Sequence, residues 1–567
     1  MNFYSAYSEI IIMLDALRTT LSYPKTSWQL CLLGVIAGVC AATVIIVFRL
    51  SFQYIQLQLL PELGAYEQLP WYQRFMLPFL GVLGIYLVAW MTGFEHFRLG
   101  IPFVIHRVKK HFGLMPLRTT INQFFGGIFA LASGFFVGRE GPSVHLGAAG
   151  TSFVGDGLKL PYNCIRILTG CGIAAGISAS FNTPFAAVIF VMEVVMRNYR
   201  IHIFIPIMLS AAIGSVMSRL VFGEGTGLLF LSFEHLDNVI YFYLVLFGMA
   251  LGALSSLFNQ QLILVMKHAQ RYSMISRFVL AAFITGGVGV FIPDAMGAEF
   301  NAVYNLLNQD ISIGMVLGIL VAKFVLALVA IGLGIPGGII GPVMVIGMFS
   351  GALLAYPLET IMGSTEYHDG YVLLGVAGML TAVLHAPLAA VSAVMELSYA
   401  PEILLPAILV VVPAYVVSNQ VFKNRSIFIR QMEMQQLPYK QSAITQTLEK
   451  TGVLALCDRK VQTFDHYQTL EMIEYIKHHP TEYVIYRDNN EAPWHFVETN
   501  TQLEDQSSPF ITSLLPVYSY QNTLAEVYDE LKPIRSGAVI IKCHHEDKIY
   551  GIITWNALHN YLFKLEH

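Results

Sequence analysis

The most chemically loaded stretch of this 567-residue chain is Gly138-Arg139-Glu140-Gly141-Pro142. An arginine and a glutamate stand there inside the apolar run 124–150, and ionisable groups at membrane depth are costly enough to be functional candidates by default. Glycine leaves backbone amides uncovered. Pro142 suits the first turn of a helix, where its missing N–H is not needed. A helix opening here turns its positive end and its free amides toward an anion. Glu140 is itself an anion at that place. A carboxylate that can fill an anion site, and leave it when protonated, is a gate. Leu99-Gly100-Ile101-Pro102 and Gly337-Gly338-Ile339-Ile340-Gly341-Pro342 have the same grammar of small residues, proline and apolar helix. Together the three breaks are expected to aim the amides of Gly100, Ile101, Gly141, Ile339 and Ile340 at one anion, with Arg139 beside it. No full positive charge touches the anion, so it is held weakly enough to be released.

Such breaks need a scaffold, and the composition says which. Of the residues, 55% are apolar and only 12% charged, against about 25% charged in an ordinary soluble protein. Mean hydropathy is +0.59. A soluble globule needs more charge at its surface, and a disordered chain needs far fewer large apolar residues. A polytopic membrane protein remains. Apolar runs of bilayer-spanning length occupy roughly 28–48, 73–93, 202–222, 239–266, 276–293, 314–333 and 402–421. Between them lie runs interrupted by Gly and Pro, tolerated at membrane depth only against protein or a polar cavity. The net charge of −4 and the lack of a basic block exclude nucleic acid as an expected partner.

Charge is uneven along the chain. Residues 431–567 carry 29 charged residues, and the first 430 carry 41. The shift divides the chain into an amphipathic cytoplasmic N-terminal helix (1–27), a membrane body (28–430) and a water-exposed tail (431–567). Arg and Lys cluster after the last span, at Lys423, Arg425 and Arg430, which places the tail in the cytoplasm. The six cysteines show no paired spacing and are expected to be free thiols. Gly332-Leu333-Gly334-Ile335-Pro336-Gly337 matches GxGxxG formally, but no strand precedes it and Pro336 interrupts it. GxxxxGK[ST] and HExxH are absent, so neither an enzyme nor a metal site is expected, and His544-His545 reads as a solvated loop.

The body contains an internal repeat. FNTPFAAVIFVMEV at 181–194 aligns with LHAPLAAVSAVMEL at 384–397, with Pro184, Met192 and Glu193 matched by Pro387, Met395 and Glu396. Gly141-Pro142 aligns with Gly341-Pro342 in nearly the same register. Two halves, about 28–235 and 236–430, follow. Gly/Pro-interrupted helices in matching positions point to a binding site between the halves, at the midplane.

GREGP at 138–142, LGIP at 99–102, GGIIGP at 337–342 and FNTPFAAVIFVMEV at 181–194 together resemble the CLC family of chloride channels and chloride/proton antiporters. The resemblance covers nearly the whole membrane body. It implies two inverted repeats of tilted, partly broken helices, a homodimer with one anion pathway per subunit, and chloride as substrate, with membrane lipid around it. The location it implies is a bacterial inner or plasma membrane. The tail resembles a pair of CBS modules. The clearer copy spans 514–560, with a helix from about Leu524 and strands at Gly537–Lys542 and Ile549–Thr554. A weaker copy spans about 450–500, with a strand at Tyr483–Arg487.

Three departures from the family pattern bear on mechanism. Leu99 replaces the serine whose hydroxyl touches the central anion. Phe428 replaces the tyrosine at the inner side of the site, so backbone amides are left to bind the anion while Phe428 closes it from within. Val194 stands where antiporters carry a second, proton-conducting glutamate. Channel-like conduction gated by Glu140 is therefore expected, with chloride/proton antiport as the alternative. In the tail, Ala557 replaces the aspartate that grips ribose in ATP-binding CBS modules, so no cofactor is expected and ATP is not expected to bind.

Overall fold

The computed structural model describes residues 13–94, 100–223, 240–300, 303, 312–362, 368–437, 443–489, 492–499, 510–543 and 549–566. Leu99, His544 and His545, and the expected junction of the repeats near 235, lie outside the described residues. The chain divides into two compact units: Cys31–Val154 with Arg166–Tyr439, and Met1–Leu30 with Gly155–Ile165 and Lys440–His567. The membrane unit thus ends nine residues later than the charge boundary suggests. Helix Ile427–Met434 belongs to it because Ile427, Phe428 and Met432 are buried there, although Arg430 and Glu433 carry charge.

Among the described residues, nine helices have the length and composition to cross a membrane. These and the shorter helices between them recur in two sets. Leu117–Ala132 and Glu140–Gly157 in the first half are matched by Ile313–Leu333 and Ile340–Met362 in the second. Tyr162–Phe181, Pro184–Phe190 and Ile201–Phe222 are matched by His368–Leu384, Pro387–Ser398 and Leu404–Val416. The interrupted runs are helix pairs joined by short irregular turns, as the Gly/Pro breaks imply.

Small residues set the closest approaches, and they recur too. Gly147 meets Gly172 and Ser143 meets Gly176, so the Glu140 helix and the one after it run antiparallel in backbone contact. In the second half Gly347 meets Gly375 and Gly351 meets Tyr371 in the same way. A Cβ at Gly351 or Gly375 would collide with the partner backbone. Left-handed turns match as well: Asn182 and His385, which precede the two short Pro helices, have φ of 58° and 57°.

The second unit contains two small sheets of like order. In one, β1 (Val461–Phe464) pairs parallel with β2 (Tyr483–Tyr486), which pairs antiparallel with β3 (His495–Thr499) and so on to β4 (Phe510–Leu514). In the other, β5 (Val517–Ser519) pairs parallel with β6 (Ala538–Lys542), and β6 antiparallel with β7 (Ile549–Thr554). Helices Thr469–His478 and Leu524–Leu531 make the parallel crossovers. Leu524–Leu531 starts at a capping box formed by Thr523 and Glu526. Residues 13–22 form a helix held within this unit, where Asp15 accepts from Tyr550 Oη at 2.8 Å and Arg18 lies over the Tyr520 ring. The Thr554 hydroxyl accepts from Ala557 N–H at 3.2 Å and so caps the last helix. All six cysteines are free thiols.

Candidate functional site

The two Gly-rich breaks meet. Gly138 N–H donates to the Gly338 carbonyl at 2.9 Å, and Gly338 N–H donates back to the Gly138 carbonyl at 2.7 Å. This two-bond bridge joins the halves at matching positions. Glycine is required on both sides, because a Cβ at Gly138 or Gly338 would run into the carboxyl group of Glu140. That carboxyl group is buried, with Glu140 only 1% exposed. Its Oε1 accepts from Gly341 N–H at 2.9 Å, while Oε2 is buried without a hydrogen-bond partner. Glu140, the first residue of its own helix, thus occupies an amide at the start of the matching helix in the other half.

Three cavities surround this point. The first, about 70 Å³, is lined by Gly100, Ile101, Gly338, Ile339, Phe428 and Gln431, among others. Phe428 and Gln431 come from helix Ile427–Met434, which leads into the tail, so with the tail read as cytoplasmic we take this cavity as the inner vestibule. The second, about 60 Å³ and walled mostly by apolar groups, runs from Glu140 and Ile340 past Thr183 and Phe190 to Ala389, Ala390 and Leu397. The third is a narrow space of about 20 Å³ lined by Gln56, Arg139, Glu140, Phe181, Glu299 and Gly341, among others. It shares no lining residue with the Phe428 cavity, and with the tail read as cytoplasmic we take it as the outer mouth.

The sequence-derived set is therefore partly assembled and partly redistributed. Ile101, Ile339 and Phe428 share the inner vestibule, and Phe428 is buried with its ring edge-on to Phe190 at 6.4 Å. Ile340 lies on the apolar cavity and Arg139 on the outer one, where its guanidinium sits 4.6 Å from the Phe181 ring centre. Gly100 corrects the expectation of a free amide. It lines the vestibule, but its N–H donates to Gln123 Oε1 at 3.0 Å. Gly141 departs as well: it packs on the Gly337–Gly338 backbone, where a Cβ would lie 2.6 Å from the Gly337 oxygen. Close approach of the two breaks explains that glycine.

Sequence reasoning missed Gln123, Gln431, Gln435 and Glu299. None of them belongs to a spaced motif that marks it in the sequence. Gln431 and Gln435 line the vestibule in which hydroxyls were expected to be lacking, with Gln431 Nε2 donating to Met266 Sδ at 3.7 Å.

Glu193 and Glu396 form a reciprocal pair of caps. Glu193 accepts from Leu388 N–H at 3.3 Å and Ala389 N–H at 2.8 Å, at the start of the second-half Pro helix. Glu396 accepts from Phe185 and Ala186 N–H at 2.9 and 2.8 Å, at the start of the first-half one. Each half thus caps the other, as the positive ends of helices favour. Val194 is buried beside Glu193 in a widened helical turn, Val191–Met196.

Residues 80–419 match the family model described as "Voltage gated chloride channel". The chain is 29% identical over 418 residues to the H(+)/Cl(-) exchange transporter ClcA of Klebsiella pneumoniae strain 342, covering 70% of this chain and 86% of that one. It is 26% identical over 415 residues to the ClcA of Salmonella agona strain SL483, with the same coverage. The fold is similar to that of a slow cyanobacterial Cl−/H+ antiporter, with TM-score 0.64 and 19% identity, covering 72% of this chain and 98% of that one. It is also similar to a CLC-type fluoride/proton antiporter, with TM-score 0.60 and 23% identity, covering 72% and 99%. A eukaryotic CLC transporter aligns at TM-score 0.59 and 17% identity over 96% of this chain and 98% of its own, so that likeness extends into the tail.

Proposed function

The chain belongs to the voltage gated chloride channel (CLC) family of multi-pass membrane proteins, and from that membership we propose that it is a homodimeric transporter exchanging chloride for protons, with Glu140 as the shared gate. One observation carries the reading. The Glu140 carboxylate fills an amide of the second-half break, between the inner vestibule and the outer mouth. Ionised, it competes with an anion for that place. Protonated, it loses the charge that holds it there, and the site opens. The Gly341 amide that the carboxylate leaves would receive the anion.

Antiport fits better than the channel reading that Val194 suggests. A bare proton cannot cross a low-dielectric wall, so a path needs titratable groups or water. The cavity of about 60 Å³ beside Glu140 has the volume of a few waters, with Glu140 and Thr183 the polar side chains on its otherwise apolar wall. It reaches Ala389, whose N–H is held by Glu193. The relatives named as H(+)/Cl(-) exchange transporters support the same side. We read the tail as the CBS pair, facing the cytoplasm.

The test is reconstitution into liposomes with a chloride gradient and no initial pH gradient. Chloride movement should drive protons uphill, and the reversal potential should move with pH at fixed chloride. A reversal potential that follows chloride alone would return the protein to the channels.

A further inference from the structure

Glu299 lies in the outer mouth, on the loop after helix Met274–Phe291, and lines the same narrow cavity as Glu140 and Arg139. Resting on the antiport reading, we propose that Glu299 is the outer proton relay, which takes protons from the external solution and hands them to Glu140 through one water.

Three observations point there. The cavity of about 20 Å³ has room for a single water, since one water needs roughly 10–15 Å³ on that measure. Oε2 of Glu140 is buried and has no hydrogen-bond partner, and Glu140 lines this cavity, so the carboxyl group has an acceptor to spare for a water there. Glu299 is half-buried, and no hydrogen bond or ion pair holds its carboxylate among the described residues.

Its charge is out of place for an anion pathway taken alone. A carboxylate at the mouth repels chloride. The groups around it explain how chloride still passes: Arg139 lines the same cavity, and Arg49, over the Phe222 ring at 3.8 Å, lies within electrostatic range of both Arg139 and Glu299. Tyr66 is within range as well, and its hydroxyl is spent on the Leu131 carbonyl at 3.1 Å. Lys323 donates to the Gly297 carbonyl at 3.4 Å, and Asp294 faces Lys323. These cations repel hydronium, so a proton reaching Glu140 benefits from a carboxylate stepping stone. In the transfer, an external hydronium protonates Glu299. The Glu299 O–H then gives its proton to the cavity water, which passes one of its own to Glu140 Oε2. Glu299 returns to carboxylate and Glu140 becomes neutral.

The experiment compares Glu299→Gln and Glu299→Asp in wild-type and Glu140→Gln backgrounds, in liposomes, with proton and chloride fluxes both recorded. Glu299→Gln should slow both fluxes about a hundredfold at neutral external pH, the low end of what a positioned proton donor contributes. The exchange ratio should stay fixed, and the rate should recover as external pH falls. Glu299→Asp should keep the rate within about threefold. In Glu140→Gln, which has no proton to receive, adding Glu299→Gln should change chloride flux less than twofold. Equal chloride fluxes with and without Glu299 in the wild-type background, or a similar change of flux in both backgrounds, would overturn the relay, the latter marking a purely electrostatic rim. Wild-type protein that moves no protons uphill would fail the antiport reading instead, and that outcome is visible before any variant is compared.

Discussion

Residues 138–142 and 338–342 are the same structure with different chemistry. Both are Gly-x-x-Gly-Pro, both open a long helix, and their glycines bridge each other across the halves. The first carries Arg139 and Glu140. The second carries Ile339 and Ile340 at the same places. The second half therefore supplies the amide, and the first supplies the carboxylate that fills it. Where the halves agree, as at Glu193 and Glu396, the residue serves the scaffold. Where they differ at a matched position, as at Glu140 and Ile340, the proposed cycle draws on the difference.

The largest effect expected from this asymmetry is at Glu140. Glu140→Gln makes the first break as neutral as the second. Proton movement should fall below detection while chloride still flows. The rise in transport with falling pH, which follows from protonation vacating the site, should be lost. Flux measurements from pH 4 to 8 check this, and a variant keeping the wild-type pH response would end the gate assignment.

Next come the matched glycines. An alanine Cβ at Gly141 lies 2.6–2.8 Å from backbone atoms of Gly337 and Gly338, which cannot rotate away. At Gly341 the nearest atom is Gly138 Cα at 3.1 Å. Gly141→Ala should abolish transport or folding, whereas Gly341→Ala should fold and retain activity within about tenfold. Gel filtration and chloride efflux together distinguish the cases.

The symmetric residues should behave symmetrically. Glu193→Gln and Glu396→Gln each leave one oxygen for two N–H groups. Both should lower stability by a similar amount, about 1–2 kcal/mol, seen as matching drops in Tm. Neither should displace the pH profile. A pH shift in Glu193→Gln alone would make that residue part of the proton path.

These contrasts also mark what the sequence could reveal. The breaks, the repeat and the gate were legible because each is written as a local pattern: Gly and Pro at fixed spacing, or a charge in apolar text. Strands at Tyr483–Tyr486, Ala538–Lys542 and Ile549–Thr554 were legible from apolar runs bounded by turn residues. The reciprocal caps were only hinted at by the matched glutamates, because a cap some 200 residues away leaves no local spacing. Gln123 at Gly100, and Glu299 opposite Glu140, depend entirely on tertiary placement. Leu99 and Phe428 did signal lost hydroxyls, but not the glutamines that line the same vestibule.

The smallest expected effect concerns Val194, the residue that first favoured a channel. Its match in the second half is Leu397, which lines the cavity beside Glu140. Both positions are apolar and buried, so neither half supplies a titratable group there. If protons travel through waters in that cavity, a carboxylate at 194 adds a stop to a path that already conducts. Val194→Glu should then change the proton-to-chloride ratio less than twofold, with a modest stability loss from placing a charge in a buried turn. The ratio, taken from reversal potentials at two pH values, is the readout. Coupling that appears only in Val194→Glu would mean that the native path is broken at this residue and that the wild-type protein conducts chloride alone.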